Sequence, residues 1–236
     1  GMGYRFVSRE APELGAEVAA DILDCLAQAH TRLAEGQGAE LLWRDALNKE
    51  LTPIDALKIY ALKTSPAFEA ALLAGIRLAR PIDDLADPVR HFSRNLGVAF
   101  QILNDLGDWQ GDDHNKLAAG LDTLGGRPTV LLALALDALE EEDRQALLAL
   151  LDEPSGDAGE QIQQVRHLYQ KAGAFDKAVR LVDKHQQRAE MIADEIQPEE
   201  LRRLLYYLID TVRERPAAET TVVVPLGQIA STENKS

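Results

Sequence analysis

Apolar residues recur at three- and four-residue spacing along nearly the whole chain, and this periodicity constrains the fold more than any other feature. Runs of Val, Ile and Thr bounded by turn residues are scarce, so strands are not expected and the chain reads as all-α. A first helix is predicted over Pro12–Leu33, with Val18, Ile22, Cys25, Leu26 and Ala29 on one stripe. It stops at Gly36-Gln37-Gly38, and a short helix follows over residues 39–47. Thr52-Pro53-Ile54-Asp55 is a helix start, with Thr52 as N-cap and Pro53 in the first helical position. That helix runs to Ala79 with a kink at Lys63-Thr64-Ser65-Pro66, because proline removes a backbone donor. The next helix spans Pro88–Trp109. Residues 111–127 are polar and glycine-rich and read as a loop. Further helices fit Pro128–Leu139, Glu141–Leu151, Gly159–Ala172, Ala174–Ile196 and Pro198–Arg213. Residues 1–216 therefore read as a single helical domain, and residues 217–236 as a mobile tail.

The formal charge of −14 argues against nucleic acid as a partner, since phosphate contacts need a basic face. A phosphorylated small molecule is still compatible, because a few local cations can oppose the global sign. The single cysteine, Cys25, permits no intrachain disulfide and fits a reducing, cytoplasmic setting; its helical position reads as a small core residue. No apolar run reaches the length of a transmembrane segment, and no secretory signal is visible. Gly1 before Met2 reads as a tag remnant.

Chemistry concentrates in two groups. Asn104, Asp105 and Asp108 are one turn or one step apart on a helix, and their oxygens emerge from an apolar stretch around Phe100 and Ile102. Such oxygen donors suit a hard cation such as magnesium (Mg2+), which keeps several waters and bridges to substrate phosphates. Isolated acids of this kind are more often a solvated helix face. Here the apolar surroundings favour a cavity wall. The second group is cationic: Lys63 beside Thr64 in mid-helix, Lys116 in the polar loop, and Arg127 where that loop meets a helix start. Lys63 taken alone reads as a snorkelling lysine. Together the groups supply what a diphosphate leaving group needs, which is charge neutralisation rather than a nucleophile. No Ser-His-Asp set, zinc spacing, Rossmann turn or P-loop is present.

These segments resemble, in order, the motifs of the trans-isoprenyl diphosphate synthase (polyprenyl synthetase) family. Gly36-Gln37 with Glu40 resembles its glycine-glutamine motif, and Lys63-Thr64 its lysine-threonine motif. Phe100-Gln101 followed by Asn104-Asp105-Leu106-Gly107-Asp108 resembles its second aspartate-rich motif. Lys116, Asp122 and Gly126-Arg127-Pro128-Thr129 resemble the closing stretch. The resemblance implies an isoprenoid-synthase-type helical bundle and magnesium-dependent prenyl transfer from an allylic diphosphate to isopentenyl diphosphate. It implies that Asn104, Asp105 and Asp108 face metal, that Lys63, Lys116 and Arg127 hold the allylic diphosphate, that Gln101 lies near the allylic carbons, and that Lys63, Thr64 and Gln101 are the catalytic residues.

The pattern also departs from the family. Its first aspartate-rich motif and its homoallylic diphosphate site precede the glycine-glutamine pair, and residues 1–35 contain neither. Asp83-Asp84-Leu85-Ala86-Asp87 has the right spelling but stands at a connection and reads as a surface turn. Asn104 replaces the first aspartate of the second motif, and Arg127 replaces a lysine. The bundle is expected to lack its N-terminal helices and to act as an oligomer, homo- or heteromeric, with the missing helices supplied by another polypeptide or segment. The competing readings are a non-catalytic regulatory subunit and, behind it, an isoprenoid-diphosphate-binding or terpene-cyclase-like relative.

Overall fold

The computed structural model describes residues 1–46, 50–110, 125–152 and 158–214, with the side chain of Gln110 excepted. The expected tail and Lys116 lie outside the described residues. Ten helices and no strand occur among the described residues. α1 spans Met2–Leu14 and α2 spans Ala16–Arg44. The break between them falls at Gly15, whose φ of 88° lies in the region that glycine tolerates best. The expected start at Pro12 is therefore corrected: Pro12 is inside α1.

The expected stop at Gly36-Gln37-Gly38 is corrected too, since α2 runs straight through it. The reason is packing. A β-carbon on Gly36 would sit 2.7 Å from the Lys63 backbone nitrogen and 2.8 Å from the Leu62 carbonyl carbon. This glycine lets one helix backbone touch another and does not cap anything.

α3 covers Pro53–Lys63 and α4 covers Ser65–Ala79. Thr52 caps α3 by accepting a bond from the Asp55 amide at 3.2 Å, in agreement with the sequence pattern. The anticipated kink is a complete break at Thr64 (φ −128°, ψ −45°), after which Pro66 falls in the first turn of α4, where its missing N–H costs nothing.

α5 (Ala86–Gln110) and α6 (Val130–Ala138) form the centre. Every residue from Val130 to Leu136 is buried and apolar, as suits a stretch enclosed by protein, and only the end of α6 at Asp137 and Ala138 is exposed. α7 (Glu141–Asp152), α8 (Ala158–Lys171), α9 (Ala174–Glu195) and α10 (Glu199–Arg213) follow, within a residue or two of their expected bounds. α5 packs along the length of α9, and α2 packs against both α3 and α4.

The core has two connected parts. One gathers α3, the C-terminal half of α5, α6, α7, α8 and the first half of α9, around the aromatic trio Trp109, Tyr169 and Phe175. The other gathers α4, the N-terminal half of α5, the end of α9 and α10, around Phe92, Leu96 and Leu205. Each fully buried leucine or phenylalanine contributes roughly 2 kcal/mol of transfer free energy. Among the described residues no helix is long and apolar enough to cross a membrane.

Candidate functional site

The site is built where α3 ends. Two glycines admit neighbouring backbones on either side of the Lys63-Thr64 break. Gly36 brings α2 against Leu62 and Lys63, and a β-carbon on Gly97 would meet the Ser65 backbone at 2.9 Å, bringing in α5. Lys63 and Thr64 are thereby clamped between two helices, and their side chains reach polar partners on each. The Lys63 ammonium pairs with the largely buried Glu40 carboxylate of α2. Thr64 donates its hydroxyl to Gln101 Oε1 of α5 at 2.9 Å.

A second polar rung lies one turn further along. Tyr60, 4% exposed, donates its hydroxyl to Asp105 Oδ2. The same hydroxyl accepts the backbone N–H of Val130 at 2.8 Å, and that amide also lies 3.4 Å from Asp105 Oδ2. Residues 60 and 64 are one turn apart on the α3 side of the break, and residues 101 and 105 one turn apart on α5. The two facing segments therefore match rung for rung. The Val130 amide is one of the donors that a helix start leaves without an intrahelical acceptor, and Thr129 satisfies another by accepting from Leu132 N at 3.2 Å. Burial and the adjacent Asp105 carboxylate hold the Tyr60 hydroxyl well above its ordinary pKa, so it stays a neutral donor.

The remaining expected site residues stand differently. Asp105 is 7% exposed, Asn104 is half-buried and Asp108 is exposed. Arg127 is exposed and follows Gly126, whose φ of 69° turns the chain beside the Arg44 side chain. Lys116 falls outside the described residues. The structure thus gives Lys63, Thr64, Gln101 and Asp105 polar partners across the helices that meet at the break, while Asn104 and Asp108 are more exposed than Asp105.

The sequence 83–87 takes no part. Asp84 pairs with Arg80 and Asp87 with Arg90, and Leu85 is buried in the second core part, as a helix-start turn should be. Asp21, Asp24 and Asp83 border a small cleft in which Arg32 and Arg90 bracket the buried Glu69. Among the described residues, no three His, Cys, Asp or Glu side chains are grouped to hold a metal by themselves.

Sequence reasoning missed Tyr60 and Arg166. Tyr60 reads as one more apolar position of α3, and only its hydroxyl, which needs a partner once buried, hinted at more. Arg166 lies over the Trp109 ring at 5.5 Å and donates to the Trp109 carbonyl, fixing the last turn of α5. Nothing in the local sequence around residue 166 signals that contact.

The family profile for polyprenyl synthetase matches residues 5–171. Over 178 residues the chain is 32% identical to an all-trans-nonaprenyl-diphosphate synthase (geranyl-diphosphate specific) of Rhodobacter capsulatus, an overlap of 72% of this chain and 51% of that protein. Over 200 residues it is 24% identical to the short chain isoprenyl diphosphate synthase of Methanothermobacter thermautotrophicus, covering 84% of this chain and 60% of that one. The geranylgeranyl pyrophosphate synthase of Corynebacterium glutamicum, solved with isoprenyl diphosphate and magnesium, superposes with a TM-score of 0.74 at 25% identity. That overlap is 86% of this chain and 57% of the other. The chain thus spans between half and two thirds of the length of these proteins. The matched profile, the shared all-helical architecture and the ordered motifs around the Lys63-Thr64 break agree: the chain belongs to the polyprenyl synthetase family.

Proposed function

We propose that this chain contributes one wall of a magnesium-dependent prenyl-transfer site, acting on an allylic isoprenoid diphosphate with isopentenyl diphosphate as the homoallylic partner. The observation that carries the reading is the break at Thr64, where a cation, a hydroxyl and the Gln101 amide converge beside oxygens on α5. The similar synthases carry isoprenyl diphosphates in their names, and one was solved with magnesium.

The donor set fits magnesium in kind. Asn104 offers an amide oxygen and Asp108 a carboxylate, both hard donors on one side of α5, and the rest of an octahedral shell would come from water and diphosphate oxygens. Asn104 brings no charge, so affinity depends on the substrate more than on the chain. Bound there, magnesium neutralises charge on the departing diphosphate. Lys63 and Arg127 hold the diphosphate, with Lys116 as a third cation from the stretch outside the described residues. The Glu40 carboxylate aims the Lys63 ammonium until the diphosphate competes for it. Thr64 fixes the Gln101 amide, so that Gln101 is oriented toward the allylic carbons where positive charge develops.

The test is product formation from geranyl or farnesyl diphosphate and isopentenyl diphosphate with magnesium. It is run on the chain alone and on the chain mixed with a polypeptide that supplies an aspartate-rich helix. Lys63→Ala and Asp108→Asn should each lower kcat in the active mixture by about 100-fold. Full activity in both variants would remove the chain from the catalytic machinery.

A further inference from the structure

We propose that Tyr60 and Asp105 act as an anchoring pair that holds the start of α6 and keeps the Asp105 carboxylate away from the cation side of α5. This rests on the magnesium reading above, and it narrows the metal-facing set to Asn104 and Asp108.

The hydrogen bonds have a fixed direction. The Val130 N–H can only donate, the Tyr60 hydroxyl accepts it and donates in turn, and the Asp105 carboxylate closes the chain as acceptor. Each bond polarises the next in a water-poor setting, because Tyr60 and Asp105 are 4% and 7% exposed and Val130 is fully buried. The carboxylate also stands 3.4 Å from the Val130 amide, so its charge faces the helix N-terminus, where a negative group is favoured.

Drawing Asp105 toward a cation would strip a buried tyrosine and a buried amide of their acceptor at once. Asn104 and Asp108, half-buried and exposed, are no part of that buried chain of bonds. The anchor also sets position. Val130 directly follows Arg127-Pro128-Thr129, so the bonds to its amide fix where that segment ends relative to Lys63 and Thr64. Tyr60 thereby influences both the charge beside the cation and the placement of the diphosphate-side segment, and it touches neither ligand.

The experiment uses the full chain, thermal unfolding in EDTA, and calorimetric titration with inorganic diphosphate in magnesium chloride. Tyr60→Phe and Asp105→Ala should each lower the EDTA melting temperature by about 5 °C. The double variant should lose clearly less than their sum, since the two groups form one unit. Asp105→Asn keeps an acceptor oxygen, so it should melt close to the parent and bind magnesium diphosphate within about threefold of it. Asp108→Asn should bind about tenfold more weakly. Tyr60→Phe should be less stable yet bind roughly threefold more tightly, because its carboxylate has lost a partner that opposed its charge. A merely structural tyrosine would weaken both properties.

The proposal is overturned if Asp105→Asn weakens binding as much as Asp108→Asn, if Tyr60→Phe binds no more tightly than the parent, or if the two single losses add fully. Should the parent chain give no binding heat, the magnesium reading fails. The EDTA cycle then decides the anchor alone, an additive result sinking it and a coupled one sustaining it.

Discussion

At the residue scale, two glycines in similar helical settings should respond to alanine with opposite signs. A methyl group on Gly36 would come within 3 Å of the Lys63 and Leu62 backbone, which cannot rotate aside, so Gly36→Ala should destabilise by roughly 2 kcal/mol. Gly75 has nothing within 4 Å of that position and sits exposed in α4, so Gly75→Ala should stabilise by about 0.7 kcal/mol. Urea midpoints at constant slope measure both. His185 gives a pH signature. It packs at the α5–α9 seam with Nδ1 2.9 Å from Asn95 Oδ1, and burial together with Arg188, Lys184 and Arg94 lowers its pKa to about 4. The folded state therefore resists the proton that the unfolded state takes up near 6.5. This contribution is complete above that value and is lost as pH falls from 6.5 toward 4. His185→Gln should flatten the decline in melting temperature between pH of about 7 and about 5, whereas an unchanged slope would exclude His185 as its source.

At the scale of elements, Glu69 ties three helices. Its carboxylate, 4% exposed, accepts from Arg32 of α2 at 2.8 Å and Arg90 of α5 at 3.3 Å, and it stands on α4. Glu69→Ala should cost about 3 kcal/mol, since it removes the buried carboxylate that both guanidinium groups share. Arg80→Ala, which removes only the exposed pair with Asp84, should cost less than about 0.5 kcal/mol. Chemical denaturation of the two variants side by side tests whether burial or mere pairing sets the value. The same contrast explains why the spelling at residues 83–87 misleads. Acids at a helix start are satisfied locally, whereas Asp105, inside a helix and facing another, depends on distant chain.

At the scale of the whole molecule, α5 and α9 each belong to both parts of the core. Loss of packing in one part should therefore be felt in the other. Leu205→Ala, at a fully buried site of the second part, should cost about 3 kcal/mol. Trp109 reports from the first part, so tryptophan fluorescence and far-UV ellipticity should shift together in that variant. Two separated transitions would show that the parts unfold independently.

The helices from α5 onward, the cap at Thr52 and the polar character of Lys63, Thr64, Gln101 and Asp105 were legible in the sequence alone. Period, capping and turn chemistry are local properties, and the family motifs are strings of neighbours. What the tertiary structure decided is how those strings meet. Gly36 reads as a helix stop until α3 is seen touching it. Tyr60 reads as core until Val130, 70 positions away, offers it an amide. Asp105 reads as one of three oxygen donors beside Asn104 and Asp108, and only the fold supplies the Tyr60 hydroxyl that its carboxylate accepts from. A burial pattern assigns a residue to a face, but the partner waiting on that face comes from elsewhere in the chain, and only packing brings it there.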